Sequence, residues 1–565
     1  MLNVLRPFPR ATPTQFGKAE IAFAGEFLEA MLGIFARPDF TITRDAAAEF
    51  IALQPVIANL AALTKLRTTD LALAAVRDQA PGGDLAAAIK AMVLASARNE
   101  QDVDRGALFA ADAQLASQWY ATYCGEAAPS ASAQSQRNIE QHLAAWDDRY
   151  VLFGPDAVAP YTCAAQLGNE AGRRVREKVN ALVRRAYGDL PIRNDPKPGK
   201  IAVVTGKWVR GSAVHRACEA FVKALAAEHE LSLVHLGKPR GDLDLRDFAD
   251  TRCVMFRGRD LVADEVLEND FHAAYFPDVG TTAESAFLAN LRMCPVQVTS
   301  YAQSASAHGA QIDYFIGASG IESDEAAADR FSERLVLVPG IGAIPPAPDY
   351  DRRRPGRADH RIAINCPWTP GRTTRPLLDT VREIAKHARR PVRLRVFTTW
   401  PLLRLCGMPA FERDVTEALG LGRVEILPPL HPRKYLSVLE RGDFSLDSHP
   451  VGSIATVVES LRVGLPVLTW RGPSWHSRAA AALLEQAGLG ELVAEDRDDY
   501  IREAIRLIDD ADHLADLTNR VDGLDFSAEP FAPRSAEPFA RAFGFLLENH
   551  EKLQADTDRT PLRIE

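Results

Sequence analysis

Over residues 1–195 the apolar positions recur every three or four residues. DAAAEFIALQPVIANLAALTKL (45–66) and DLAAAIKAMVLASARNEQDVDRGALFAADAQLASQWYATYC (84–124) carry that spacing without the alternation of a strand. The pattern predicts an all-α N-terminal domain, closed by the helix NEAGRRVREKVNALVRRAYGDLP (169–191), and it has no tetratricopeptide period. The Pro/Gly-rich NDPKPGK (194–200) marks a boundary. From Lys200 short apolar runs alternate with helical stretches. IAVVTG (201–206), LSLVHLG (231–237), CVMFRG (253–258), AAYFPDVG (273–280) and VQVTSY (296–301) read as strands, and VHRACEAFVKALAAEHE (214–230) as a helix. A second series follows the Pro- and Arg-rich stretch 344–360: RIAINC (361–366), VRLRVF (392–397), VEILP (424–428), FSLD (444–447) and PVLTW (466–470). The chain then closes on the helix EPFARAFGFLLENHEKL. Such alternation predicts parallel sheets covered on both faces. The expected order is an all-α domain (1–195) and two doubly wound, Rossmann-like α/β domains (196–345 and 346–565). Ligands of such sheets bind outside the carboxyl ends of the strands.

Composition narrows the function. With 47% apolar and 25% charged residues, the 565-residue chain has the make-up of a soluble globular protein. No apolar run approaches the ~20 residues that span a bilayer, and the first residues, MLNVLRPFPRATPTQFGK, lack a signal-peptide core. Seven cysteines stand singly, with no CxxC pair. That argues against a disulfide framework or structural zinc and fits a reducing compartment. A cytoplasmic location without a membrane is therefore expected. The formal charge of −9 gives no general attraction for nucleic acid, which is not expected as a partner.

The chemistry concentrates where FSLD runs into LDSHPVGSIATVVES (446–460). Small residues (Gly452, Ser453, Ala455, Thr456) precede a helix read as starting near Thr456, and they leave its first N–H groups open to a phosphate. Glu459, a turn inside, is placed to accept hydrogen bonds from ribose hydroxyls. An ordinary β–α turn, with Glu459 complementing the helix dipole, has the same sequence. Two further strand–loop–helix turns stand nearby in sequence order: TWRGPSWHSRAAA (469–481), with Gly472 and His476, and NCPWTPGRTTRP (365–376), with Arg372 and Arg375. Together the three would bound one nucleoside diphosphate.

The run D-x-x-P-x-G, a small loop, then E-S-L-x-x-G-x-P-V-L-T resembles the donor-nucleotide motif of the protein O-GlcNAc transferase family. It is closer still to the bacterial cytoplasmic N-glycosyltransferases that modify adhesins. YFPDVG (275–280), AFLANLRMCPVQVTSYAQSASAHGAQIDYFI (286–316) and RFSERLVLVPG (330–340) extend the resemblance over about 200–550. It implies a glycosyltransferase-B fold and inverting transfer from a UDP-hexose, with no metal or other cofactor. On the family's pattern Glu459 takes the place of the ribose-binding aspartate, and the diphosphate-binding lysine falls near Arg372. His449 and His476 flank the donor loops. In VVTGKWVRGSAVHRACEAF (203–221) Gly211 stands where the family has an acceptor-side histidine, with Lys207 and Arg210 before it and His215 after it. Gln303 replaces the first histidine of the family's G-H-P-x-x-x-H loop, and His308 retains the second. His215, His308 and Asp278 are the candidates for a general base, although a turn aspartate is also commonly a backbone cap.

Three functions remain open at this level. The chain transfers a hexose to a polypeptide side chain (Asn or Ser/Thr), or to a small molecule or peptide natural product, or it binds a nucleotide sugar without transfer. The identity of the hexose rests on a few ring-hydroxyl contacts that the sequence does not specify.

Overall fold

The computed structural model describes residues 1–565 apart from 9–16, 80–83, 126–130, 166–168, 188–194, 301–305, 323–324, 343–344, 354–359, 399–405, 421, 423, 473–474 and 533–535. Its strands, numbered in chain order, are β1 (Lys197–Thr205), β2 (Glu230–Leu236), β3 (Asp250–Arg257), β4 (Asp260–Val262), β5 (Phe271–Phe276), β6 (Val296–Ser300), β7 (Tyr314–Ala318) and β8 (Arg334–Val338). They continue with β9 (Ile362–Cys366), β10 (Val392–Phe397), β11 (Val424–Leu427), β12 (Phe444–Leu446), β13 (Val467–Trp470), β14 (Val493–Ala494) and β15 (Leu562–Arg563). The chain divides into two compact units. One comprises 1–175, 357–435 and 504–509, the other 176–356, 436–503 and 510–565.

Most of the helix Glu170–Tyr187 belongs to the second unit, whereas the first carries the helices predicted before residue 169. Its helix starts are written in the sequence: Thr43, Asp84, Asp104, Asp112 and Ser132 each accept a hydrogen bond from a backbone N–H of the following first turn. Alanine faces let helices approach closely around fully buried Trp119, Tyr120, Tyr150 and Tyr161. His142 lies among them, stacked on Tyr120 and Tyr123 at centroid distances of 3.9 and 4.0 Å. Desolvation holds its imidazole well below the ordinary pKa, so it is a neutral core residue. The same unit contains the parallel ladder β11-β10-β9. The helical region is tied to the helix Gly407–Leu419 by the nearly buried pair Arg98–Asp414 at 2.9 Å.

The second unit is built on a sheet in the order β15-β8-β7-β6-β5-β1-β2-β3-β4. All its pairings are parallel except β3 with β4. The unbroken apolar run IAVV is explained by coverage on both faces. Ile201 and Val203 join one core with Phe221, Phe539 and Phe543, while Ala202 and Val204 join the opposite core with Val234, Phe276 and Leu288. The first core is closed by the helices Ala213–Ala226 and Ala536–Ala555, whose Phe221 and Phe539 rings stack at 4.5 Å. The unit also holds the parallel ladder β12-β13-β14. Sequence order runs from β1 to β4 in one direction and from β5 to β8 in the other. The junction of β1 and β5 is therefore the switch point at which an open α/β sheet leaves a crevice. Among the described residues no single helix is long and apolar enough to cross a membrane.

Candidate active site

The loop after β12 is organised by a residue to which the sequence reading gave no role. Asp447 is buried, and its Oδ1 accepts from the N–H groups of Ser448 (2.9 Å) and Ser453 (3.2 Å). Its Oδ2 accepts from Thr469 Oγ1 at 3.0 Å, and the Tyr500 hydroxyl donates to its carbonyl at 3.0 Å. One carboxylate thus fixes both ends of the 448–453 loop and pins it to β13. Ser453, not Thr456, ends the loop. It caps the helix Ile454–Arg462, its Oγ accepting from Thr456 N at 3.4 Å, while Thr456 Oγ1 donates to the Ser453 carbonyl at 3.0 Å. Both hydroxyls therefore serve the cap. The N–H groups of Ile454 and Ala455, at the first two helical positions, have no intrahelical acceptor. They form the part of this turn suited to an anion.

The neighbouring turn packs against the first. His449 lies flat on Trp470 with centroids 3.7 Å apart and planes at 9°, and burial lowers its pKa to about 4. It is neutral at pH 7 and supports the loop from behind. A Cβ on Gly472 would sit 2.2 Å from Ser477 Oγ and 3.2 Å from His449 Nε2, so glycine is required there by close approach. His476 lies in the helix Trp475–Gln486, but its side chain falls outside the description, as does Gln303 as a whole. Gly452 is half-buried in the loop.

At the switch point of the large sheet, Thr205 ends β1 and Asp278 follows β5 by two residues. Asp278 is 1% exposed. Its Oδ2 accepts from Thr281 Oγ1 at 2.5 Å, and its Oδ1 has no hydrogen-bond partner among the described residues. Burial pushes the carboxyl up to about 6, against the opposing effects of Thr281, Thr205 and Lys207. A carboxylate with that pKa is ionised at neutral pH and still basic enough to take a proton. Lys207 and Arg210 are exposed on the loop that follows β1, and Gly211 beside them has φ +82°.

The other two base candidates are held differently. His215 is 2% exposed, with Nε2 3.1 Å from Asp244 Oδ2, Nδ1 3.8 Å from Glu219 Oε2, and its ring against Trp208. His215, Glu219 and Asp244 form the one metal-ligand-like cluster among the described residues. The carboxylates are already paired, Glu219 with Lys223 at 2.7 Å and Asp244 with Arg246 at 2.5 Å. Arg246, and then His215, hold the Asp244 carboxyl far below its usual range. Two resident cations oppose a metal ion there, and His215 is a packed member of this network. His308 adopts a left-handed φ of 51° in a loop clamped on all sides. Glu333 accepts from Ser306 Oγ and Ala307 N, both at 2.6 Å. Asn180 Nδ2 donates to the Ala307 and His308 carbonyls at 2.7 and 2.8 Å, and Gly309 N donates to Ser332 Oγ at 2.8 Å. Arg372 and Arg375 belong to the first unit. Arg372 closes a short 3₁₀ turn, and Arg375 Nε bonds Asp379 at 3.0 Å.

The structure adds one residue that the sequence did not single out. Arg216, in the second turn of the helix after β1, donates from Nη2 to Glu459 Oε1 at 2.9 Å. The side chains are 24% and 14% exposed. The signal was present in sequence only as an arginine one residue after the noted His215; nothing local tied it to a helix 243 residues away.

Residues 438–535 match the model of glycosyl transferase family 41. The chain is similar to the probable UDP-N-acetylglucosamine–peptide N-acetylglucosaminyltransferase SPINDLY of Eustoma exaltatum subsp. russellianum, 38% identical over 104 residues, or 18% of this chain and 11% of the relative. The Oryza sativa subsp. japonica protein of the same name is 30% identical over 142 residues, 25% of this chain and 15% of the relative. A Caenorhabditis elegans UDP-N-acetylglucosamine–peptide N-acetylglucosaminyltransferase is 38% identical over 79 residues, 14% and 7% respectively. The chain thus spans about a tenth of the length of these curated relatives. Among solved structures, a mutant O-GlcNAc transferase of Thermobaculum terrenum aligns over 91% of this chain and all of its own, with TM-score 0.60 at 21% identity. That agreement establishes the glycosyltransferase-B fold with a helical N-terminal region. The 438–535 match and these relatives support a relation to the O-GlcNAc transferase family; the narrower likeness to the adhesin-modifying enzymes has no counterpart among them.

Proposed function

We propose that the chain is a UDP-sugar-dependent glycosyltransferase that moves a sugar to a polypeptide side chain, Asn or Ser/Thr, with inversion and without a metal. The observation that carries the reading is the coincidence of the family 41 match, residues 438–535, with the Asp447-built loop and its helix start. The relatives' names make N-acetylglucosamine the first sugar to test, ahead of glucose. In this reading Glu459 accepts the ribose hydroxyls. The Ile454 and Ala455 N–H groups, with the helix dipole behind them, receive the charge that builds on the diphosphate as the C–O bond to UDP breaks. The acceptor nucleophile attacks the anomeric carbon in line and passes its proton to Asp278 Oδ1. The orphaned oxygen and the pKa of about 6 are what support that assignment. We assign Lys207 and Arg210 to the acceptor side and a cytoplasmic setting to the reaction.

A second reading, nucleotide-sugar binding without transfer, is favoured by Gly211, which offers no side chain at the family's histidine position. One assay separates the two. The full chain is incubated with UDP-N-acetylglucosamine or UDP-glucose, an Asn/Ser/Thr-containing peptide pool and EDTA. Released UDP and a peptide mass gain of one sugar, both absent in Glu459→Ala, are expected. UDP binding with no release under any of these conditions would select the binding reading.

A further inference from the structure

Arg216 links the helix that follows β1 to the helix that follows β12 within the second unit. It lies in the second turn of the Ser212-capped helix, directly after the β1 end of the switch point. Its Nη2 grips the carboxylate of Glu459 at 2.9 Å, while its Nε is buried with no acceptor among the described residues. A guanidinium has five N–H donors in a fixed fork and favours two-point contact with phosphate or carboxylate oxygens. Leaving a buried donor unmet is costly in any fold, and it marks the side of the fork where an acceptor is missing. Glu459, which Arg216 grips, follows Ala455 and Ile454 by four and five residues, about 6–8 Å along the helix axis.

We infer that Arg216 is a diphosphate-binding cation of the donor site, held on Glu459 when the site is empty and turned onto the phosphates when the nucleotide binds. The inference rests on the UDP-sugar reading. The chemistry is consistent from both sides. With no nucleotide present, Arg216 balances the charge of the largely buried Glu459 carboxylate. When UDP enters, its ribose hydroxyls take over Glu459, and the freed guanidinium answers the diphosphate charge, where a charge-assisted contact is strongest. Loss of the leaving group then puts one more negative charge beside Arg216, so the contact strengthens as the bond breaks. The role does not depend on Arg372 or Arg375.

Titration calorimetry of the full chain tests this with UDP and with uridine, which lacks phosphate, on the wild type, Arg216→Met and Arg216→Lys. Arg216→Met is expected to weaken UDP tenfold or more while changing uridine less than twofold, and Arg216→Lys to recover part of the UDP affinity. Equal weakening of both ligands would overturn the inference, because Arg216 would then only position Glu459. Unchanged UDP affinity in Arg216→Met would overturn it too. If Arg216→Met does not fold, Arg216→Lys decides alone. There the uridine-to-UDP ratio of dissociation constants must fall at least threefold, and an unchanged ratio refutes the role. Failure of the wild type to bind any uridine nucleotide would instead remove the donor reading beneath it.

Discussion

The second unit contains two strand–loop–helix turns of the same design that differ in what holds them. In each, a serine caps the helix: Ser453 accepts from Thr456 N and Ser212 from His215 N, at 3.4 and 3.2 Å. In each, a charged residue follows within two turns, and those residues, Glu459 and Arg216, meet. The 448–453 loop is fixed by a buried carboxylate at its root, Asp447. The 206–211 loop is fixed by its own backbone, with Trp208 packed on His215 and Phe248 and the Ser212 hydroxyl bonded to the Lys207 carbonyl. A loop built around one side chain has a recognisable residue at a set spacing. A loop held by backbone contacts and a packed tryptophan tolerates many sequences, and it falls outside the matched segment 438–535.

Substitutions can break that contrast, beginning with the largest effect. Asp278 is the proposed general base, a role that predicts a loss on the order of 10²-fold or more in rate for Asp278→Asn in the UDP-release assay. Its folded pKa, about 6, lies above the ordinary 3.8, so the native state holds the proton more tightly than the unfolded chain. Burial of the charge therefore penalises the fold above about pH 6, and the penalty fades as pH falls towards 4. Asp278→Asn is expected to gain up to about 3 kcal/mol at pH 7.5 and little at pH 4, read by denaturant unfolding. A variant both more stable and less active fits a site residue; one that is less stable at pH 7.5 fits a structural cap.

Asp447→Ala removes the acceptor of three donors at the root of the first loop, and a loss of about 3 kcal/mol is expected from the buried groups left unmet. The same change should abolish measurable UDP binding, whereas any substitution of Arg210 on the second loop should leave the fold's Tm unchanged. Glu459→Gln keeps the shape but loses the charge, and about tenfold weaker UDP binding is expected by calorimetry. Ser453→Ala and Ser212→Ala compare the two caps directly. Each is expected to lower stability by about 1 kcal/mol, but only Ser453→Ala should also weaken UDP.

The contrast also explains what was legible in the sequence. Continuous apolar runs such as IAVV announced buried parallel strands, because burial on both faces leaves no alternation to read. The helices of 45–66 and 84–124 were legible because the three- and four-residue spacing of apolar positions is a local signal. The loop after β12 drew attention through its small residues, but what holds it together was not legible there. Ser453 and Thr456 bond within the helix cap, and Asp447, which holds the loop, looked like the end of a strand. Gly472, which the sequence places only in a strand–loop–helix turn, is fixed by its close approach to Ser477. His215 and Arg216 are adjacent in sequence, but one turns into an ion network and the other to Glu459. That difference of about 100° around a helix becomes informative only when the opposing helix is known. The left-handed backbone of His308 is likewise imposed by Glu333 and Asn180 from distant elements.

The most direct test of the account is a crystal structure of the full chain soaked with UDP. It predicts diphosphate oxygens within hydrogen-bond distance of the Ile454 and Ala455 N–H groups, ribose hydroxyls on Glu459, and Arg216 released from that carboxylate. A nucleotide bound elsewhere, with the Arg216–Glu459 pair intact across the helix start, would contradict it.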